Sequence, residues 1–176
     1  SEDLVDKAVT FIADSKQADP QKPFYLHLCF GATHAPHHVG KEWADRYKGA
    51  FDDGWDAYRE KTFARQKELG IVPADAELSR HDPDVPDWDS QPEAARQLYA
   101  RMMEVFAGFL EHTDHHVGRV IDALADIGVL EDTLVVYVLG DNGPSAEGTL
   151  QGSFNEMLYM NGAAALETPE SMTARI

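Results

Sequence analysis

Apolar and polar positions along the chain follow two different periods. Leu4, Val5, Ala8, Phe11 and Ile12 recur at helical spacing, which predicts an amphipathic helix at the start. Ala18-Asp19-Pro20-Gln21-Lys22-Pro23 ends it, because two prolines and an Asp break a helix and launch an extended segment. Phe24-Tyr25-Leu26-His27-Leu28-Cys29-Phe30 follows. It is nearly apolar on both faces, so it predicts a central parallel strand covered by helices, with Cys29 a small buried hydrophobe. From Lys41 to Leu69 aromatic and charged residues alternate, predicting helix, a turn at Asp52-Asp53-Gly54, and helix again. Pro73, Pro83 and Pro86 among many aspartates make Gly70–Asp89 an irregular surface excursion.

Ser90-Gln91-Pro92-Glu93 carries the Ser-x-x-Glu capping pattern. Met102, Val105, Phe106, Phe109, Leu110, Thr113, Val117, Val120, Ile121 and Leu124 then continue one apolar stripe to Gly128, which is placed to stop a long helix. Thr133-Leu134-Val135-Val136-Tyr137-Val138-Leu139 is a second β-branched apolar run. Strand, crossover helix, strand predicts a right-handed βαβ unit, and hence an α/β fold with a mostly parallel sheet flanked by helices, the long helix packing on the sheet. Ligands of such folds gather at the carboxyl ends of strands. The loops after both runs, Thr33-His34-Ala35-Pro36-His37-His38 and Gly140-Asp141-Asn142-Gly143, fall there.

Charge narrows what those loops can serve. Against 15 Lys and Arg stand 31 Asp and Glu, a net charge of -16 among 176 residues, so nucleic acid and anionic membrane surfaces are disfavoured partners. An anionic ligand needs a local device instead, such as a metal, a histidine cluster or backbone N–H groups. The single Cys29 excludes an internal disulfide. No apolar run approaches the ~20 residues of a membrane span.

Asp141 and Asn142 offer a carboxylate and an amide oxygen on adjacent residues, the hard ligands that Ca²⁺ or Mg²⁺ prefers; the competing reading is a hairpin turn at Asn-Gly. His34, His37 and His38 suit a metal, an anion or a proton transfer, since imidazole titrates near neutral pH, against a plain solvated loop. His34, nearest the first strand and just before Pro36, is the leading candidate. His112 and His116, one helical turn apart, resemble a metal pair, but Thr113 stands where a zincin has Glu. His116 lies toward the core beside Val117, and a packed, hydrogen-bonded histidine is the stronger reading. Asp52-Asp53-Gly54-Trp55-Asp56 lacks EF-hand spacing and reads as a turn. The scattered acidic residues read as a solvated face.

Lys22-Pro23-Phe24 through Gly31-Ala32-Thr33-His34-Ala35-Pro36, Tyr47-Lys48-Gly49 with Asp52-Asp53-Gly54, Arg65-Gln66-Lys67-Glu68-Leu69-Gly70, Val117-Gly118-Arg119-Val120, Leu139-Gly140-Asp141-Asn142-Gly143 and Ser145-Ala146-Glu147-Gly148 resemble, in that order, the arylsulfatase family. The resemblance implies an alkaline-phosphatase-like α/β fold, a Ca²⁺ ion, and hydrolysis of sulfate esters through a formylglycine made within a C/S-x-P-S/A-R motif. It matches Asp141 and Asn142 to the later pair of metal ligands, and His34 to the histidine that contacts the sulfate near the leaving oxygen. Gly140 departs from the serine usual before the Asp-Asn pair. Cys29 is followed by Phe30-Gly31-Ala32, so it cannot be the formylglycine precursor, and the nucleophile is expected outside this chain. With Ser1 in place of an initiator Met and no terminating feature at Ile176, residues 1–176 read as the central part of one sulfatase catalytic domain, cut at both ends and inactive alone. A phosphodiesterase or phosphonate hydrolase of the same superfamily, and a non-catalytic acidic metal- or partner-binding module, are the competing readings.

Overall fold

The computed structural model of the protein describes residues 1–140 and 152–176. Six α-helices occur among them: α1 (Glu2–Ala18), α2 (Lys41–Ala44), α3 (Gly54–Glu68), α4 (Glu93–Asp126), α5 (Glu156–Met160) and α6 (Pro169–Thr173). Short 3₁₀ turns at Asp45–Tyr47, Trp88–Ser90, Leu130–Asp132 and Ala164–Leu166 link them. The 34-residue α4 is the spine, and α1, α2 and α6 all pack against it.

The expected parallel sheet is absent from the described residues. Residues 24–30 and 133–139 carry no strand assignment, and no backbone hydrogen bond joins one to the other. A strand exists only through a partner that supplies the facing N–H and C=O groups, and an apolar alternation carries no information about whether that partner lies alongside. The first segment does use its alternation. Phe24, Leu26, Leu28 and Phe30 pack on a core of Val5, Ile12, Val120 and Leu124. Tyr25, His27 and Cys29 face outward, so only one face is buried and Cys29 is exposed, with Sγ 3.2 Å from His27 Nε2. In the second segment Leu134, Val136 and Val138 are 89%, 71% and 81% exposed. The βαβ unit and the helix-on-sheet packing therefore give way to helix-on-helix packing with one extended segment laid over it.

The helices follow the sequence pattern more closely. Val5, Ala8 and Ile12 form the buried side of α1, at the i, i+3, i+4 spacing of one helical face. On α4, Phe109, Thr113, His116, Val120 and Leu124 are buried, while Leu110 of the expected stripe is partly exposed. The Ser90 cap does not form. Ser90 Oγ donates instead to the Asp87 carbonyl at 2.6 Å, and α4 starts from Pro92 without a side-chain cap. Gly128 ends α4 at φ +71°. Its N–H donates to the Ala125 carbonyl at 2.9 Å and that of Val129 to the Leu124 carbonyl at 3.0 Å, the paired bonds of a Schellman stop.

Backbone meets backbone at Gly108, where a Cβ would stand 2.7 Å from the Ala44 nitrogen and the Trp43 carbonyl carbon. Those are backbone atoms of α2, which cannot swing aside as a side chain can. Beside this crossing, Glu104, 5% exposed, accepts from the Gly49 N–H at 2.7 Å and from Arg101 Nη1 at 2.7 Å. Gly108→Ala should therefore lower the free energy of unfolding in urea by ~1–3 kcal/mol through overpacking. Gly118→Ala, on the same helix with nothing within 4 Å, should be neutral or stabilising by up to ~1 kcal/mol. Equal effects would show that the α2–α4 contact does not constrain the fold.

Candidate functional site

The histidine loop runs from the end of the extended 24–30 segment to the start of α2, so both of its ends are tied to elements that pack on α4. Within it His34 N–H donates to the Gly31 carbonyl at 2.9 Å and His38 N–H to the Pro36 carbonyl at 2.9 Å, and the Ala32–Thr33 and Ala35–Pro36 peptides are cis. The three imidazoles take different roles. His34 and His38 are exposed and His37 is half-buried.

His34 Nδ1 lies 2.7 Å from the Ala35 carbonyl oxygen. A carbonyl only accepts, so Nδ1 must carry the proton. That leaves Nε2 directed away from the backbone, an acceptor in the neutral ring and a donor in the charged one. His37 instead meets Phe106 edge-on at 5.3 Å between centroids and Phe109 at 6.1 Å. Burial pushes its pKa below the ordinary 6.5, opposed by a backbone hydrogen bond at Thr33 and reinforced by His34. Its Nε2 is buried and has no partner among the described residues. His37 thus fastens the loop to α4 in its neutral form, a role that the sequence did not assign to it. The signal was present as a histidine spaced to reach an aromatic stripe.

Two turns further along α4 from Phe109, His116 is 6% exposed. Arg119 Nη1 donates to its Nδ1 at 2.9 Å, and Arg119 Nη2 also pairs with Asp6 at 2.6 Å. A guanidinium has no lone pair to offer, so His116 must hold its proton on Nε2 and donate it to His112 Nε2, 3.1 Å away. His112 and His115 lie against Trp43 at 5.2 and 5.4 Å, and the Arg46 guanidinium lies over the Trp43 ring at 3.9 Å. Glu2, His112 and His116 bring ligand atoms within 4.8 Å of one another. A metal on His116 Nε2 would need a proton on Nδ1 and an acceptor facing it. Arg119 is a donor there, so this cluster is a packing network, and burial holds both His112 and His116 below their ordinary pKa. A second cluster, Asp56, His81 and Asp87, joins α3 to the proline-rich excursion and was not singled out in the sequence.

Asp141 and Asn142, the expected calcium ligands, lie outside the described residues.

Comparison with known proteins places this arrangement in context. The sequence profile described as Sulfatase matches residues 1–173. The chain is 34% identical over 144 residues to an uncharacterized sulfatase of Schizosaccharomyces pombe, covering 81% of this chain and 26% of the relative. It is 31% identical over 129 residues to an arylsulfatase of Klebsiella aerogenes, covering 73% and 27%. An arylsulfatase of Clostridium perfringens is 24% identical over 157 residues, covering 86% and 27%. The chain thus spans about a quarter of the length of these relatives.

The three depressed histidines set a pH dependence. His37, His112 and His116 each bind a proton less readily folded than unfolded, so lowering the pH through about 6.5 should favour the unfolded chain. Stability should be full above that value and fall as the pH drops toward the folded pKa values. Thermal melts between pH 7.5 and 5.5 should show a decreasing Tm, with a shallower decrease in His37→Gln and His116→Gln. A Tm independent of pH across this window would mean that these rings are not held neutral by the fold.

Proposed function

The chain belongs to the sulfatase family, and from that premise we propose that it supplies the leaving-group side and part of the metal site of an enzyme hydrolysing aryl sulfate esters. The observation that carries the reading is His34, whose ring is exposed, with Nδ1 held by the Ala35 carbonyl and Nε2 open, at the position that resembles the family's sulfate-contacting histidine.

An aryl sulfate releases a phenolate, and a donor hydrogen bond or proton at the departing oxygen lowers the barrier most when that oxygen is a poor leaving group. His34 Nε2, protonated, is such a donor, and its charge also favours the sulfate anion in a chain whose net charge of -16 otherwise repels it. The bond from Nδ1 to Ala35 keeps the ring from turning away. Asp141 and Asn142 fit a calcium ion by their donor chemistry, a carboxylate and an amide oxygen. When present, that ion and a formylglycine would supply charge neutralisation and the nucleophile. No C/S-x-P-S/A-R motif occurs in these 176 residues, so the nucleophile belongs to sequence outside them, and the chain is proposed as the central part of one catalytic domain.

In the full-length protein His34→Ala should slow aryl sulfate turnover by ~10²–10⁴-fold, with the largest loss on esters of the least acidic phenols. A uniform loss across leaving groups would remove the leaving-group role, and unchanged turnover would remove His34 from the site. Asp141→Ala should abolish turnover together with calcium content. Residues 1–176 alone should turn over no aryl sulfate, since Ca²⁺ takes about six to eight oxygen ligands and Asp141 and Asn142 provide few of them. Preferential hydrolysis of a phosphodiester by the full-length protein would favour the phosphoryl-transfer branch of the superfamily instead.

A further inference from the structure

The geometry points to a second metal site, independent of the sulfatase chemistry, in which Asp56, His81 and Asp87 hold a Zn²⁺-class ion that clamps the proline-rich excursion onto α3. Asp56 comes from the first turn of α3, whereas His81 and Asp87 come from the segment between residues 70 and 88 that forms neither helix nor strand. One ligand atom from each lies within 4.8 Å of the other two. His81 Nε2 and Asp56 Oδ1 are 3.1 Å apart, close to the ~3.3 Å separation of two ligands on a tetrahedral ion with bonds of about 2.0 Å.

The surroundings match what a metal needs. Asp56 is oriented from outside the trio, because the Trp88 N–H donates to its Oδ2 at 2.9 Å. This fixes the carboxylate and leaves Oδ1 aimed at the imidazole. Among the described residues no Lys or Arg side chain pairs with any of the three ligand groups, in contrast to the guanidinium on His116 Nδ1. Taking an ion at Nε2 requires only that the His81 proton reside on Nδ1. The exposed Asp87 side chain has the freedom to complete the set, and water fills the fourth position. A nitrogen ligand with two carboxylates selects Zn²⁺ or a similar transition ion over Ca²⁺ or Mg²⁺, which take oxygen.

The segment also has reason to bind a cation. Asp75, Glu77, Asp82, Asp84, Asp87 and Asp89 face a single basic residue of their own, Arg80, so a divalent ion relieves concentrated like charge. Its other ties to α3 are few. Trp55 Nε1 donates to the Pro86 carbonyl at 3.1 Å, and Arg59 binds the Ser79 hydroxyl at 2.7 Å.

The test is calorimetric titration of the metal-stripped full chain with Zn²⁺ alone, with limited proteolysis of residues 70–88 as a second readout. Zn²⁺ should bind and slow cleavage of the excursion. His81→Ala, and Asp56→Asn, which keeps an acceptor for the Trp88 N–H, should each weaken binding at least as much as loss of an outer-shell partner does, roughly 10–100-fold, and remove the protection. His112→Gln should leave both unchanged. Absence of Zn²⁺ binding, binding unaltered by either His81→Ala or Asp56→Asn, or binding that does not protect the excursion would each overturn the assignment.

Discussion

The arrangement of the described residues depends on how closely α2 can approach α4. Gly108 admits the α2 backbone to within the radius of a missing Cβ, and a contact made by backbone on both sides leaves no side chain to adjust. Several contacts that position the histidine loop and α2 lie within two turns of this point. Glu104 holds the Gly49 amide and the Arg101 guanidinium on one side; Phe106 and Phe109 receive His37; His112 meets Trp43 of α2 itself. A loop tied at both ends and pinned in the middle loses its conformational entropy on folding rather than when ligand binds. That is what the exposed His34 requires if it is to meet an anion without reorganisation.

Burial divides the histidines by function. His37, His112 and His116 are pushed toward the neutral form by desolvation, so they pack without adding uncompensated charge to the interior. His34 is exposed, with Nδ1 held by the Ala35 carbonyl and no aromatic ring packed on it among the described residues. One residue type is thus packed at His37 and exposed at His34, and the difference is made by Phe106 and Phe109 rather than by the loop sequence.

The helical part of the fold was legible because amphipathic period and helix stops are local. Val5, Ala8 and Ile12 declared the inner side of α1, and Gly128 declared the end of α4. The sheet was misread because pairing is not local. Phe24, Leu26, Leu28 and Phe30 turn inward with the period of a strand, yet their backbone finds no strand partner among the described residues. The Ser90 cap was lost to a local competitor, the Asp87 carbonyl three residues before it, which captured the hydroxyl. At the site, the His34 loop was visible as a cluster of imidazoles. The anchoring by His37 depended on which turn of α4 lay beneath it, and the union of Asp56 with His81 required a fold of the excursion that no periodicity encodes.

The two clusters that bring carboxylate and imidazole together show why proximity is a poor criterion for a metal. In both, one pair of ligand atoms is 3.1 Å apart, and distance alone would rank them equally. The decision lies one bond further out. A ligating imidazole carries its proton on the second nitrogen, and Arg119 forbids that at His116 by presenting a donor to Nδ1. At Asp56 the outer partner is the Trp88 N–H, a donor facing a carboxylate oxygen, which is the polarity that steadies an anionic ligand. Hydrogen-bond direction therefore separates a network that a guanidinium closes to an ion at His116 from one whose charges an ion would balance.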